Sequence, residues 1–195
     1  MTSSIHPAFD KVHRFYDSNM RLFGLYKGKL VARMLDLDGS EIVLDAGGGT
    51  GWVAKHLIQF AREVYVLDES EKMLSRARRY KQLHLIRGDV TRTCFLDASF
   101  DAVLLSDVLH HVAEHTRLID EVHRILKPWG KLLVYEYDIA HPETRIFRWF
   151  ESKLFDKVYF RERSMIQEEI SAKGFESVVK CSRAFWYIDL WKKRG

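Results

Sequence analysis

Hydrophobic positions recur along the chain with two periods, and the switches between them set the order of elements. From residue 8 to 36 the spacing is helical, with Phe9, Val12, Phe15 and Tyr16, then Leu22, Leu25, Leu30, Val31, Met34 and Leu35 three or four apart. Gly24 and Gly28 mark breaks or close packing there. After the turn Asp38-Gly39-Ser40 comes an apolar run of strand length, 41–46. Residues 51–60 return to the helical period, with Val53, Leu57, Ile58 and Phe60 on one face. Strands are expected at 63–67 and 83–86, with a helix between them that Ser70 is suited to cap. The run 99–106 is an apolar strand with a polar tip, buried on both faces as a central parallel strand should be. Residues 116–127 form an amphipathic helix with Leu118, Ile119, Val122, Ile125 and Leu126 as its stripe. A fifth strand follows at 131–137. Residues 164–173 are a last helix, with Ser164 and Gln167 at capping-box spacing and Gly174 as its stop. Strands at 175–181 and 185–191 close the chain. Alternating strands and helices predict an α/β domain built on a parallel sheet.

The chemistry gathers where strands end. In Val43-Leu44-Asp45-Ala46-Gly47-Gly48-Gly49-Thr50-Gly51 a strand runs into a glycine turn and then the pattern of a helix, an arrangement that holds nucleotide-like ligands at the carboxyl edge of a sheet. Glycine lets the backbone turn sharply and lets a ligand lie against it. N–H groups at the start of the 51–60 helix would favour a carboxylate. The glycines fall at 47, 49 and 51, not at the G-x-G-x-x-G spacing of dinucleotide sites. Asp68 ends the second strand 21 residues after Gly47, where an acid can accept both hydroxyls of a ribose. Gly88-Asp89 is a turn. Ser106 and Asp107 emerge at the end of the fourth strand and lead into His110-His111. Adjacent residues on a helix do not share a face, which argues against a metal shared by these two histidines. No Cys/His ligand spacing occurs elsewhere, so no metal is expected.

D-x-G-x-G-x-G at 45–51 resembles motif I of the class I S-adenosylmethionine-dependent methyltransferases. Asp68-Glu69-Ser70-Glu71-Lys72-Met73-Leu74-Ser75-Arg76-Ala77 resembles the D-x-S-x-x-M-L-x-x-A stretch of the small-molecule members, and Ser106 through Val112, with its Leu-His-His turn, resembles a third segment of the same group. The resemblance covers nearly the whole chain, most firmly 41–137. It is nearest to the ubiquinone/menaquinone-biosynthesis type, whose "YD" region Phe15-Tyr16-Asp17 resembles. It implies a Rossmann-like class I fold: a seven-stranded, mostly parallel sheet with the last strand antiparallel and helices on both faces. It implies S-adenosylmethionine as cofactor, held by Tyr16, Asp45, Ala46, Gly47, Gly49, Gly51, Asp68, Glu69, Met73, Asp89, Val90, Ser106 and His111. Tyr16 would lie over the cofactor, Met73 and Asp89 would meet the adenine, and Val90 would offer its backbone N–H. The family writes L-K-P-G-G where this chain has Leu126-Lys127-Pro128-Trp129-Gly130.

Methyl transfer from a sulfonium chiefly requires alignment of an acceptor. Where the acceptor must also lose a proton, the candidate bases are His110, His111, Tyr137 and Asp138. The chain reads as one domain over 1–195, with a helical cap at 1–40, a cofactor-binding core at 41–137 and a candidate substrate lid at 138–163. In that last segment Ile146, Phe147, Trp149, Phe150, Leu154, Phe155, Val158, Tyr159 and Phe160 alternate with arginines and lysines. Such a segment can cover an apolar acceptor, pack on the sheet, or make a peripheral membrane contact.

Composition changes this picture little. The net charge of +4 resides in the flanks, +2 over 1–40 and +4 over 141–195 against −2 over 41–140, which argues against a nucleic-acid partner because no run of like charge forms. Two distant cysteines, Cys94 and Cys181, suit a reducing compartment. The first nine residues lack a signal-peptide core, and no stretch approaches the roughly 20 apolar residues of a membrane span, so a cytoplasmic protein is expected. The reading is therefore a methyltransferase acting on a small molecule, which the resemblance implies to be apolar and quinone- or lipid-like. The alternatives are a non-catalytic S-adenosylmethionine-binding partner protein, an RNA or protein methyltransferase, and a nicotinamide-dependent oxidoreductase, the last disfavoured by the glycine spacing.

Overall fold

Five mainly apolar runs pair side by side because their backbones are satisfied in a sheet. The central ones are buried on both faces, and the run at 83–87, at the edge, leaves His84 and Arg87 exposed. The computed structural model describes residues 28–154, 157–183 and 185–195. Tyr16 and the expected helix before residue 28 lie outside the described residues. The parallel strands are β1 (Ile42–Ala46), β2 (Glu63–Asp68), β3 (Leu83–Arg87), β4 (Phe100–Ser106) and β5 (Leu126–Tyr137). β6 (Phe175–Arg183) and β7 (Trp186–Lys193) follow. The sheet order is β3-β2-β1-β4-β5-β7-β6, with β7 antiparallel to both of its neighbours. The seven-stranded, mostly parallel sheet with an antiparallel last strand is as expected.

Alternate residues of each strand feed two cores. Ala102 and Leu104 of β4 pack with Val43, Val64 and Val66 under α1 (Gly28–Leu35). Val103 and Leu105 pack with Leu44, Leu67 and Val134 against α3 (His115–Ile125) and α5 (Arg163–Ala172). Gly28 is a point of close packing, since a Cβ there would meet the His56 ring at 2.3 Å. Between β2 and β3 lies α2 (Glu71–Ala77), capped as expected by Ser70, whose hydroxyl accepts from the Met73 N–H. α4 (Thr144–Leu154) leads from β5 toward α5.

Three local expectations are corrected. Residues 51–60 contain only a single 3₁₀ turn, Ala54–His56, and Phe60 is exposed. Its N–H groups bond sometimes three and sometimes four residues back, and Arg62 is already tied to Glu41 by a 2.9 Å backbone bond, so the segment turns into β2 before a regular helix can propagate. Ser164 does not cap α5. The cap position is Glu162, with no side-chain bond, and Gln167 instead donates to Asp189 at 2.7 Å. Finally, β5 starts at Leu126: pairing with β4 jumps from Phe100↔Leu126 to Ala102↔Lys131, looping out residues 127–130. Trp129 keeps the left-handed backbone of the glycine it replaces, φ +66°, and its indole packs against Gly195 and under the Lys192 ammonium.

Among the described residues no helix is long and apolar enough to cross a membrane.

Candidate cofactor and acceptor site

The glycine loop is set by what crowds it. Gly47, Gly49 and Gly51 take φ values of +77°, +53° and +69°, a region L side chains enter only at a cost. The N–H groups of Gly47 and Gly48 donate to the Leu67 carbonyl at 2.7 and 3.2 Å, fixing the loop to the end of β2. A Cβ at Gly47 would meet Val108 Cγ2 at 2.3 Å, and one at Gly51 would meet Leu83 Cδ1 at 2.8 Å. At both positions the close approach is made by the protein's own side chains. The 3₁₀ turn that follows is too short to offer the expected helix N-terminus to a carboxylate.

Asp68 lies at the tip of β2. Its Oδ2 accepts from the Gly49 N–H at 2.9 Å and its Oδ1 from the Ser70 N–H at 2.8 Å. Burial pushes its carboxyl up to about 6 against those two bonds. Asp45, 1% exposed, reaches beneath the loop toward Gly48. Among the described residues neither of its carboxylate oxygens has a well-formed hydrogen bond. Burial, then the charge of Asp68, raise it to about 7, and the backbone N–H of Ala54 opposes this. Ala46 is buried. Met73 is buried with its Cε 3.3 Å from where a Gly49 Cβ would stand. Glu69 is raised first by burial, then by Asp89 and Asp68, so three acids converge beside the loop. Asp89 is exposed and closes its own turn, accepting from the Thr91 N–H and hydroxyl at 2.7 and 2.8 Å; Val90 is buried behind it.

A second cluster sits over the tips of β4 and β5. Ser106, half-buried, ends β4. Asp107 follows in a left-handed conformation, φ +59°, with its N–H on the Tyr135 carbonyl at 3.0 Å. Leu109–His111 is one 3₁₀ turn. The face argument from an α-helix therefore fails: the His110 and His111 rings are 4.0 Å apart. His110 is buried, stacked on Phe160 at 4.7 Å, with Nδ1 2.8 Å from Glu136 Oε1 and Nε2 3.7 Å from Asp107 Oδ1. Burial works to lower its pKa, but Glu136, Asp107 and Glu151 outweigh that and hold it up at about 9. His111 Nε2 is 3.9 Å from Glu151 Oε2. Burial lifts Glu151 to about 8, His110 pulling it down and Asp107 and Glu136 pushing it up.

Of the proposed bases, Tyr137 is 1% exposed and belongs to the core under α1, its ring 5.7 Å from His110. Asp138 is structural, with Oδ1 accepting from the Ala140 N–H and its carbonyl from the Thr144 hydroxyl. The sequence reading missed Glu151. Its signal was an acid within the apolar face of 146–154, at helical spacing from Phe147 and Leu154. Of that face, Ile146, Phe147, Phe150, Leu154 and Phe155 lie outside the described side chains, and Trp149 is 63% exposed.

A strand-end glycine loop, a half-buried acid ending the next strand and a polar turn after the fourth lie together at one edge of the sheet. Residues 44–134 match the family described as "Methyltransferase domain", and the seven-stranded fold is that of the class I S-adenosylmethionine-dependent methyltransferases. It is 33% identical over 143 residues to a demethylmenaquinone methyltransferase of Mycobacterium sp. (strain KMS), covering 71% of this chain and 61% of that one. The chain spans 61–66% of the length of the first curated relatives it matches. Among solved structures, the protein partnering the Haloferax volcanii Trm112 methyltransferase activator superposes with a TM-score of 0.86 at 19% identity over 98% of both chains. A Thermotoga maritima S-adenosylmethionine-dependent methyltransferase gives 0.77 at 21%, over 96% of this chain and all of the other. These two likenesses are likenesses of fold.

The residues present fit the cofactor of this family. Each Asp68 oxygen accepts one backbone donor and retains a lone pair for a ribose hydroxyl. The two Asp45 oxygens, without a well-formed hydrogen bond among the described residues, make a buried anionic site that a cationic methionyl ammonium would neutralise.

Proposed function

We propose that this protein transfers a methyl group from S-adenosylmethionine to a small-molecule acceptor seated over the tips of β4 and β5. Asp68 and Glu69 would hold the ribose, Asp89 and Val90 the adenine, and the 45–51 loop the methionyl end, with Tyr16, Met73, Ser106 and His111 closing the site. The observation that carries this reading is Asp68 accepting from the Gly49 N–H, which joins the loop to the acid in one pocket floor.

When bound, S-adenosylmethionine supplies an activated methyl that leaves sulfur for the acceptor, the S–C electron pair staying on sulfur. The chain's own residues do the rest. Val108 locks the histidine turn against Gly47, so acceptor and cofactor sites share one rigid wall. His110, His111, Asp107 and Glu151 form the polar face against which the acceptor would be aligned, and alignment is worth up to roughly 7–11 kcal/mol. The likeness to demethylmenaquinone methyltransferases supports a quinol-like acceptor. The likeness to a protein that partners a methyltransferase activator favours a second reading, in which turnover requires a partner subunit.

The test is calorimetry with S-adenosylmethionine, S-adenosylhomocysteine and NADH, followed by methyl transfer from labelled cofactor to a quinol panel. Binding of both sulfur ligands, lost in Asp68→Ala and absent for NADH, is expected. No binding of either ligand would sink the proposal, whereas binding without transfer to any acceptor would favour the partner-dependent reading.

A further inference from the structure

Methyl transfer asks for alignment and at most one base, yet three carboxylates and two imidazoles crowd the acceptor side of the site. We propose that His110, His111, Asp107 and Glu151 bind one divalent first-row transition-metal ion of the zinc type, held where it can ligate an oxygen of the acceptor. The proposal deepens the methyltransferase reading and rests on it for the acceptor's place.

Geometry is the first argument. Donor atoms of His110, His111 and Glu151 lie within 4.8 Å of one another, and so do those of Asp107, His110 and Glu136. His110 Nε2–Asp107 Oδ1 is 3.7 Å and His111 Nε2–Glu151 Oε2 is 3.9 Å. Ligands about 2.0–2.1 Å from a tetrahedral zinc ion stand about 3.3 Å apart. The set therefore needs to contract by about half an ångström at those two edges. The 3₁₀ turn makes this feasible, because it brings adjacent histidine rings to 4.0 Å.

The second argument is the support behind the donors. Glu136 holds His110 Nδ1 at 2.8 Å and also accepts from the Tyr137 N–H at 2.9 Å, so it is anchored and sets the ring with Nε2 toward Asp107 and the cluster. A carboxylate on the far nitrogen is the usual companion of a metal-ligating histidine. Phe160, stacked on the same ring at 2°, blocks its rotation.

Charge is the third argument. Glu136 and Glu151 are 3% and 6% exposed, and the cationic partners that the described residues give them are the two histidines alone. Burying a carboxylate is costly unless a cation is paired with it, and a divalent ion is such a cation. Two imidazoles with two carboxylates suit zinc, cobalt or iron(II) better than magnesium, which prefers oxygen ligands and keeps its waters. An acceptor hydroxyl would join the four protein ligands as a fifth, the expansion zinc allows during reaction, and the ion would ease loss of its proton.

The test titrates chelator-stripped full-length protein with zinc chloride and cobalt chloride. One ion per chain is expected, with visible cobalt absorption of a four-coordinate site. His111→Ala and Glu151→Gln should each weaken zinc binding by more than about a hundredfold, beyond the roughly 10–100-fold expected of the outer carboxylate in Glu136→Gln. Circular dichroism checks each variant's fold, and His111→Gln replaces His111→Ala if the latter does not fold. Failure to take up one ion, or uptake that all variants retain, would overturn the metal site. S-adenosylhomocysteine binding is measured on the same samples. Its presence without zinc uptake sinks this inference alone, and its absence with zinc uptake sinks the methyltransferase reading alone.

Discussion

At Gly47 two costs would fall on any side chain: a left-handed backbone and a contact with Val108 at 2.3 Å. Gly47→Ala should lower stability by about 2–5 kcal/mol, combining roughly 1–2 for the backbone with 1–3 for overpacking. Urea denaturation of Gly47→Ala, Val108→Ala and the double variant separates the two. The double variant should recover the packing part as a coupling energy of about 1 kcal/mol or more, and strict additivity would show that the contact is not the cause. Asp45 gives a pH prediction. Its folded pKa, about 7, lies above the ordinary carboxylate value of 3.8, so the unfolded chain releases its proton first. Stability is therefore fullest below about pH 4 and falls as pH rises toward 7. Asp45→Asn should flatten the ligand-free stability profile between pH 4 and 7, by up to roughly 4 kcal/mol, and weaken S-adenosylhomocysteine binding. An unchanged profile would mean that this carboxyl is solvated.

At the scale of elements, α5 is pinned to β7 by Asp189, 1% exposed, which accepts from Arg163 Nη2 at 2.5 Å and from Gln167 at 2.7 Å. Asp189→Asn leaves Arg163 without its counter-charge and should cost about 3 kcal/mol in a denaturant titration; a loss below about 1 kcal/mol would show that water replaces the carboxylate. α4 carries Trp149, Arg145, Arg148 and Lys153 outward. If it touches a membrane surface, anionic vesicles should retain the wild type and lose Trp149→Ala several-fold in co-sedimentation, and no retention of either would end that reading. The strands were legible in the sequence because a run buried on both faces is mainly apolar, as Ala102 to Leu105 are in β4. The 51–60 segment was not, because a single 3₁₀ turn and an α-helix bury residues at nearly the same spacing. For the same reason the histidine pair was read with its rings apart. Glu136 acquires meaning only from the neighbours that folding brings, and Glu151 carried one weak signal, an acid on an otherwise apolar helical face.

Across the whole molecule, parallel pairing turns the ends of β1, β2, β4 and β5 to one edge, which assembles Asp45, Asp68, Asp107 and Glu136 from positions far apart in the chain. The two antiparallel strands at one side of the sheet contribute none of these residues. A ligand across the tips should therefore tighten one edge and leave the other as it was. At a hundredfold excess over its Kd, S-adenosylhomocysteine should add about 2.7 kcal/mol, or roughly 5–11 °C in Tm for a chain of this size. Hydrogen exchange distinguishes where that tightening acts. Amides at 47–51, 68–70 and 107–112 open locally in the free protein, so contact with the ligand should slow them directly. Amides on the open edge of β6, which exchange by local fraying, should not change. Slowing along β6 with none at the glycine loop would place the ligand at another site and remove the basis for assigning Asp68 and Asp45 to it.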